Sequence, residues 1–437
     1  MRSRFSIAFG FLALIALGAF VLATPWAQAS GAWGNWSNAA FTACSAVCVT
    51  GLSVVDIARE FSFPGQVVLI VLVEIGALGL MALGTFLLVA IGRRLSYASE
   101  FSLMNAYGVA GIRGVKGLVL WIVGSIFVIE SIGAALLYCR FHDVYLAVFY
   151  SVMSFCNAGF SLYPDSLAKF AADPFVLFVL AAETVLGGIG FLVIYNICTF
   201  KFLRRKSGAK GRLTLHSAIV LKYSLVLIAI AFGAFLLLEW NGALAGYGWG
   251  QKLWVAFYQA VTPRSCGFTV VPLESLRTTT LQMYECLMAI GGAPGSVASG
   301  IKVTTLAVFL ATILAMCRGE SETVLSKRVI SYDVVRESII IVIVVLLLVD
   351  IFAGALVGIE PEGAASDFRL YFETISAVTT TGLSIGDTTA QLSSAGRIVI
   401  MVAMFLGRLG ALTVVLMIGS RESKRHIRYP SEEIVVG

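Results

Sequence analysis

Charge is what this sequence has least of. Across 437 residues, Asp, Glu, Lys and Arg together make up 13%, while 59% are hydrophobic and the mean hydropathy is +0.92. Soluble domains carry roughly 25% charged residues, so too few polar side chains remain here to coat a water-facing surface. Soluble enzymes and nucleic-acid binders are excluded, and the chain reads as an integral membrane protein solvated by lipid. Histidine is scarce as well: His142, His216 and His426 are scattered, leaving no His/Asp/Glu cluster for catalysis. No CxxC occurs among Cys44, Cys48, Cys139, Cys156, Cys198, Cys266, Cys286 and Cys317. They fall mostly in apolar stretches and read as small buried hydrophobes rather than disulfides or metal ligands. A Walker motif and a strand-flanked Rossmann fingerprint are also missing.

Long apolar runs are what the sequence does have. Residues 5–23 are long enough to span a bilayer, so the basic start at Arg2 and Arg4 is read as the head of a first helix and not as a cleaved signal peptide. Further runs cover about 66–92, 117–138, 174–200, 217–239, 280–317 with an interruption, 333–357 and 396–419, giving eight spans. With eight spans, 20 of the 31 basic residues fall on one face, in groups at Arg2 and Arg4, Arg93 to Lys116, Lys201 to Arg212, Arg318 to Arg336 and Arg421 to Arg428. The positive-inside rule places that face and both termini in the cytoplasm. The outer face carries acidic residues, among them Asp56, Asp143, Glu239, Glu274, Glu360 and Asp387, and so would concentrate cations at an outer mouth.

Between the spans lies an internal repeat. The stretches FTACSAVCVTGLSVVD from Phe41, FYSVMSFCNAGFSLYPD from Phe149, FYQAVTPRSCGFTVVP from Phe257 and FETISAVTTTGLSIGD from Phe372 align on Gly51, Gly159, Gly267 and Gly382. Each has Phe ten residues before the glycine, Leu or Phe one after it and Ser or Thr two after it, and the glycines are 108, 108 and 115 residues apart. A fixed period of this kind marks repeated structural units. A stretch of about ten residues cannot cross a bilayer, so each must dip in and return, with its backbone facing protein or a water-filled cavity. Helices entering from outside would point their negative C-terminal ends at a common axis, which favours a cation. The glycine opens dihedrals closed to other residues, letting consecutive carbonyls replace a hydration shell. No ring of acidic side chains lies beside these glycines, which points to a dehydrated monovalent ion.

The four stretches CVTGL, CNAGF, RSCGF and TTTGL closely resemble the filter sequences of the Trk/Ktr/HKT superfamily of potassium transporters. Eight spans with no extra N-terminal pair resemble the Ktr-type membrane (KtrB-like) subunit. The resemblance implies an all-α fold of four M1-P-M2 repeats, in which eight transmembrane helices and four re-entrant pore helices form a pseudo-four-fold, channel-like arrangement. The repeats would cover residues 1–92, 93–204, 205–320 and 321–420, followed by a cytosolic tail, 421–437. The filter would comprise Cys48, Val49, Thr50 and Gly51; Cys156, Asn157, Ala158 and Gly159; Arg264, Ser265, Cys266 and Gly267; and Thr379, Thr380, Thr381 and Gly382, binding K⁺ at backbone carbonyls. Gly51, where plant members passing Na⁺ carry serine, argues for K⁺. The family further implies K⁺ uptake into the cell, with Na⁺ as an activator, by a homodimer in the cell membrane seated on a cytosolic nucleotide-binding regulatory ring (KtrA-like). The last residues resemble the segment that reaches the dimer partner.

A continuous helix through Gly291, Gly292, Pro294 and Gly295 would cost about 1 kcal/mol per glycine and about 3 for the proline. The segment 291–300 therefore reads as a loop inside the sixth span, and it resembles the family's intramembrane gating loop. Gly291, Gly292, Pro294, Gly295, Ser296, Ser299, Gly300, Lys302 and Arg408 form the expected gate. Arg408 sits mid-span, where an unmet arginine costs a few kcal/mol; Lys302 either faces the pore or snorkels. The cluster Gly187-Gly188-Ile189-Gly190 reads as helix packing. Glu74 and Glu183 either bind ions or tie a helix to its neighbour, and Glu130 and Asp350 are equally open. An alternating-access cation symporter is the other function class; it would show broken helices in matching halves, where only one broken span is expected here.

Overall fold

The computed structural model describes residues 2–79, 115–198, 213–361 and 365–410. The basic residues Arg93, Arg94, Arg113 and the run 201–212, residues 80–92 and 411–419 of two expected spans, and the tail 421–437 lie outside these. The regular elements among the described residues are helices apart from one small hairpin.

The main helices fall into groups of three. The first group is α1 (Arg2–Ala23), α2 (Trp36–Val47) and α3 (Phe63–Leu78); the second is α4 (Val115–Phe141), α5 (Val144–Phe155) and α6 (Pro174–Ile189). The third is α7 (Leu215–Glu239), α8 (Trp249–Val261) and α9 (Thr278–Ala289), followed by α10 (Val303–Cys317). The fourth is α11 (Tyr332–Ile359), α12 (Asp367–Val378) and α13 (Ser394–Leu409). In each group the middle helix packs on the long helix before it. The third helix of each group also packs on the middle helix of the next: α3 on α5, α6 on α8, α9 on α12, and α13 back on α2. The groups thus close a ring.

The middle helices have 12, 12, 13 and 12 residues. At 1.5 Å per residue each is about 18 Å long, well short of a bilayer core of about 30 Å. Their sequences of small and aromatic residues, Phe41 to Val47 for example, are buried on every side. Side chains start two of them, Asn35 accepting from Ser37 N and Asp143 from Tyr145 N and Leu146 N, so the first amides are satisfied without a preceding turn.

Helices long and apolar enough to cross a bilayer, among the described residues, are Val119–Phe141, α7 and α11. A fourth span arises from α6 joined to Phe191–Cys198, bent by 98°. This corrects the expectation of a continuous run over 174–200 and of a single broken span. The physical reason is Gly190, whose φ of 87° lies in the left-handed region and ends the helix. α3 and α13 end the same way at Gly79 and Gly410 after 16 residues each.

After α10, β1 (Val324–Leu325) and β2 (Arg328–Val329) form an antiparallel hairpin with Ser326 and Lys327 both at positive φ. Leu325 is buried beside Ile219 and Ala307. The expectation that all eight cysteines are buried is corrected too. Cys44, Cys48, Cys156 and Cys266 are buried, while Cys139, Cys198, Cys286 and Cys317 lie on the outside; all eight are unpaired. An apolar stretch of a membrane helix faces lipid as readily as core, so hydropathy alone does not separate the two.

Candidate ion pathway

The four repeat glycines meet. A Cβ built on Gly51 would collide with the Ala158 carbonyl oxygen, and one on Gly159 would lie 3.1 Å from the Cys266 oxygen. One on Gly267 would lie 2.8 Å from the Thr381 oxygen, and one on Gly382 would collide with that of Thr50. Each glycine therefore faces the carbonyl that precedes the next glycine, in a closed cycle of four. The space at Gly51, Gly267 and Gly382 permits no side chain, a Cβ on Gly159 would be in tight contact, and φ values of 93°, 68°, 82° and 85° favour glycine at all four.

Two residues before each glycine the backbone is again left-handed, at Val49, Asn157, Ser265 and Thr380. Alternating positive and negative φ turns successive carbonyls to the same side, away from the helices that support them. Thr50 N, Ala158 N and Thr381 N reach back to the carbonyls of Ser45, Met153 and Ser376 at 2.8–2.9 Å, so main-chain bonds hold three of the copies. The third differs. Pro263 has no N–H, α8 stops at Val261, and Cys266 N bonds Thr262 O instead. Tyr284 Oη of α9 occupies the carbonyl of Gln259 that Pro263 leaves open, at 2.8 Å.

Some side chains of these segments find partners in the surrounding protein or within their own segment, while the polar atoms of Thr50, Asn157, Ser265 and Thr380 are buried without hydrogen-bond partners. Cys266 Sγ lies 3.2 Å from Thr184 Oγ1, Thr379 Oγ1 is 2.9 Å from Thr381 Oγ1, and Cys156 Sγ is 3.7 Å from Glu130 Oε1. Arg264, also buried, sends its guanidinium away from the ring to Ser224 and Gly291. All four glycines line a cavity of about 360 Å³ together with Ser53, Ser161, Thr269, Ser384, Asp56 and Asp387. The two carboxylates give its wall a negative sign.

Residues 291–300 form a loop between α9 and α10, seated on the end of α6. Ala293 N donates to Gly188 O at 2.8 Å, Val297 N to Gly187 O at 3.3 Å, and Phe191 N to Gly295 O at 3.0 Å. The 187–190 cluster is thus the seat of this loop as well as a packing surface, since a Cβ on Gly187 would collide with Phe155 O. Within the loop, Gly292 and Pro294 pack on this same seat, near Gly188 and Gly190, while Gly295 and Gly300 hold positive φ. Gly291 comes so close to Ser299 O that only glycine fits, and Ser296 Oγ is buried beside Gly292. Arg408 donates to Val297 O at 2.5 Å, to Ser299 Oγ at 3.4 Å and, across to α3, to Gly76 O at 2.5 Å. Lys302 Nζ folds back onto Ala298 O at 2.5 Å.

Sequence reasoning misplaced two carboxylates. Glu239 and Glu360, expected on the acidic outer face, are buried. Glu239 accepts from Arg277 N, Ala243 N and Thr280 Oγ1, and Glu360 from Ser393 N and Oγ, so each ties the end of a long helix to the start of the third helix in its group. Their position at the last turn of an apolar run, one group apart, is the signal that could have revealed this. Glu183 accepts from Ser151 Oγ, which also donates to Glu130 O. Glu74, Glu130 and Cys156 bring their ligand atoms within 4.8 Å of one another. Asp350 accepts from Tyr371 Oη at an exposed site.

The sequence profile of TrkH, a cation transport protein, matches residues 10–429. The chain belongs to the TrkH family. Members transport cations and are not enzymes, and the apolar helices make this one a membrane protein. The chain is 35% identical to Ktr system potassium uptake protein B of Bacillus subtilis over 99% of its length and 96% of the relative's. It is 32% identical to potassium/sodium uptake protein NtpJ of Enterococcus hirae, covering all of this chain and 98% of that one. The crystal structure of the potassium transporter TrkH from Vibrio parahaemolyticus superimposes with a TM-score of 0.75, covering 95% of this chain and 84% of the other at 14% identity.

Proposed function

We propose that this TrkH-family chain is the K⁺-translocating subunit of a K⁺-uptake system. Its four M1-P-M2 repeats enclose an axis on which K⁺ sheds water at carbonyls of residues 48–51, 156–159, 264–267 and 379–382. The observation that carries this reading is the cycle of four glycines, each against the carbonyl before the next. Backbone oxygens in a ring suit a bare monovalent cation, and the negative cavity beside them supplies it. The loop 291–300, bound by Arg408, is the gate, and the guanidinium adds a positive barrier on the ion's path. The membrane potential drives entry with about 2.3 kcal/mol per charge per 100 mV.

Kinship to proteins named for the Ktr system supports the remaining parts. Two copies of the chain pair in the cell membrane with both termini in the cytoplasm, on a nucleotide-binding regulatory ring. Na⁺ acts as a second ion, in keeping with the name of the Enterococcus relative. The test is ⁸⁶Rb⁺ uptake in cells unable to accumulate K⁺. Wild type restores saturable uptake and growth at low K⁺, while Gly159→Ser lets Na⁺ compete. Wild-type cells that take up no Rb⁺, or a Gly159→Ser variant with unaltered discrimination, would refute the filter.

A further inference from the structure

The loop is held at two levels. At its base, main-chain bonds close the ring of chain: Gly291 N to Ile301 O at 2.9 Å, Ile301 N to Ala289 O at 3.0 Å, and Val303 N to Gly292 O at 3.0 Å. Along its second half, Arg408 grips Val297 O and Ser299 Oγ. Arg264 acts at the base. Its guanidinium donates to Gly291 O at 3.4 Å and to Ser224 O and Oγ of α7 at 3.3 Å each.

One residue thereby contributes main chain to the glycine ring and side chain to the loop. The matching positions in the other copies are Cys48, Cys156 and Thr379. None of these is cationic, and among the described residues the loop occurs only in the unit that has the arginine. A planar guanidinium with five donors can span two acceptors on different elements, whereas a lysine offers one point of charge. Among the described residues Arg264 forms no ion pair with a carboxylate; carbonyl and hydroxyl oxygens meet its two terminal nitrogens, while Nε is buried without a hydrogen-bond partner. Burying such a charge is costly unless its hydrogen bonds are well placed. Beside it, a cavity of about 20 Å³ lined by Thr184, Gly188, Val261 and Gly292 has room for one water.

We infer that Arg264 is a positioning residue that pins the base of the 291–300 loop to the third filter segment. The loop then opens by release of its Arg408-held half while the base stays in register with the filter. This rests on the filter-and-gate reading above.

The experiment is ⁸⁶Rb⁺ uptake into proteoliposomes by wild type, Arg264→Lys, Arg408→Ala and the double variant, resolving maximal rate from half-saturating Rb⁺. Each single change is expected to raise the maximal rate and leave half-saturation within about twofold, and the double variant to fall about threefold below the product of the two effects, because both residues act on one loop. Effects that multiply independently would overturn the inference, as would a shift confined to half-saturation, which marks a purely filter role. Should Arg264→Lys fail to insert, the same cycle run with Ser224→Ala decides the matter by the same criteria. Loss of saturable uptake in wild type would instead bring down the filter reading, which separates the two failures.

Discussion

The glycine ring is made of main chain in four copies, while the neighbouring loop, present in one copy among the described residues, adds side-chain grips to its main-chain bonds. Three of the four ring segments are held by short backbone bonds to their own helices, and every glycine abuts the next copy. The loop combines three main-chain bonds across its base and three to the end of α6 with the side chains of Arg264, Arg408 and Lys302. Main-chain bonds inside packed helices open only with the fold, whereas a side-chain grip can release locally. A filter and a gate, as proposed above, would draw on these two kinds of support within one fold.

The contrast breaks most sharply at the ring. Gly382→Ala places a methyl against Thr50 O at a φ of 85°, so K⁺ uptake should fall by about a hundredfold, since strain and overpacking each cost about 1–3 kcal/mol. Near-normal ⁸⁶Rb⁺ uptake would mean that the ring is not the conducting element. At the loop, Arg408→Ala should act in the opposite direction, raising flux about tenfold by removing a charged bond that holds the gate. Unchanged transport in the same cells would deprive the arginine of its gating role. The smallest effect belongs to Pro263→Ala. The new N–H competes with Tyr284 Oη for Gln259 O, an exchange of one neutral hydrogen bond for another. Uptake should stay within about twofold, and a large loss would show that the third segment needs its irregular support.

The period of 108 to 115 residues made the ring legible in the sequence, because four copies carry the same residue types at the same offsets from their glycines. The loop was legible from Gly291-Gly292 and Pro294-Gly295, which no helix accepts at low cost. The break at Gly190 was not: the cluster Gly187-Gly188-Ile189-Gly190 in an apolar run also suits close packing of a straight helix, and the packing of Gly190 against Pro294 and Gly295 selects the left-handed turn. Glu239 and Glu360 were read as solvent-facing because charge at the end of an apolar run usually is. Their partners, Arg277 and Ser393, lie more than 30 residues onward. Arg264 was read for its carbonyl alone, and nothing local says where its guanidinium goes.

Composition and periodicity by themselves determined that this chain lives in a bilayer and folds as four related units, since hydropathy and repeat spacing are properties of the residues in order. Tertiary structure alone decided which carbonyl faces which glycine, where α6 stops against the 291–300 loop, and that Arg408 grips that loop from the following unit. Those outcomes depend on distances between segments a hundred or more residues apart, and no local pattern encodes such a distance.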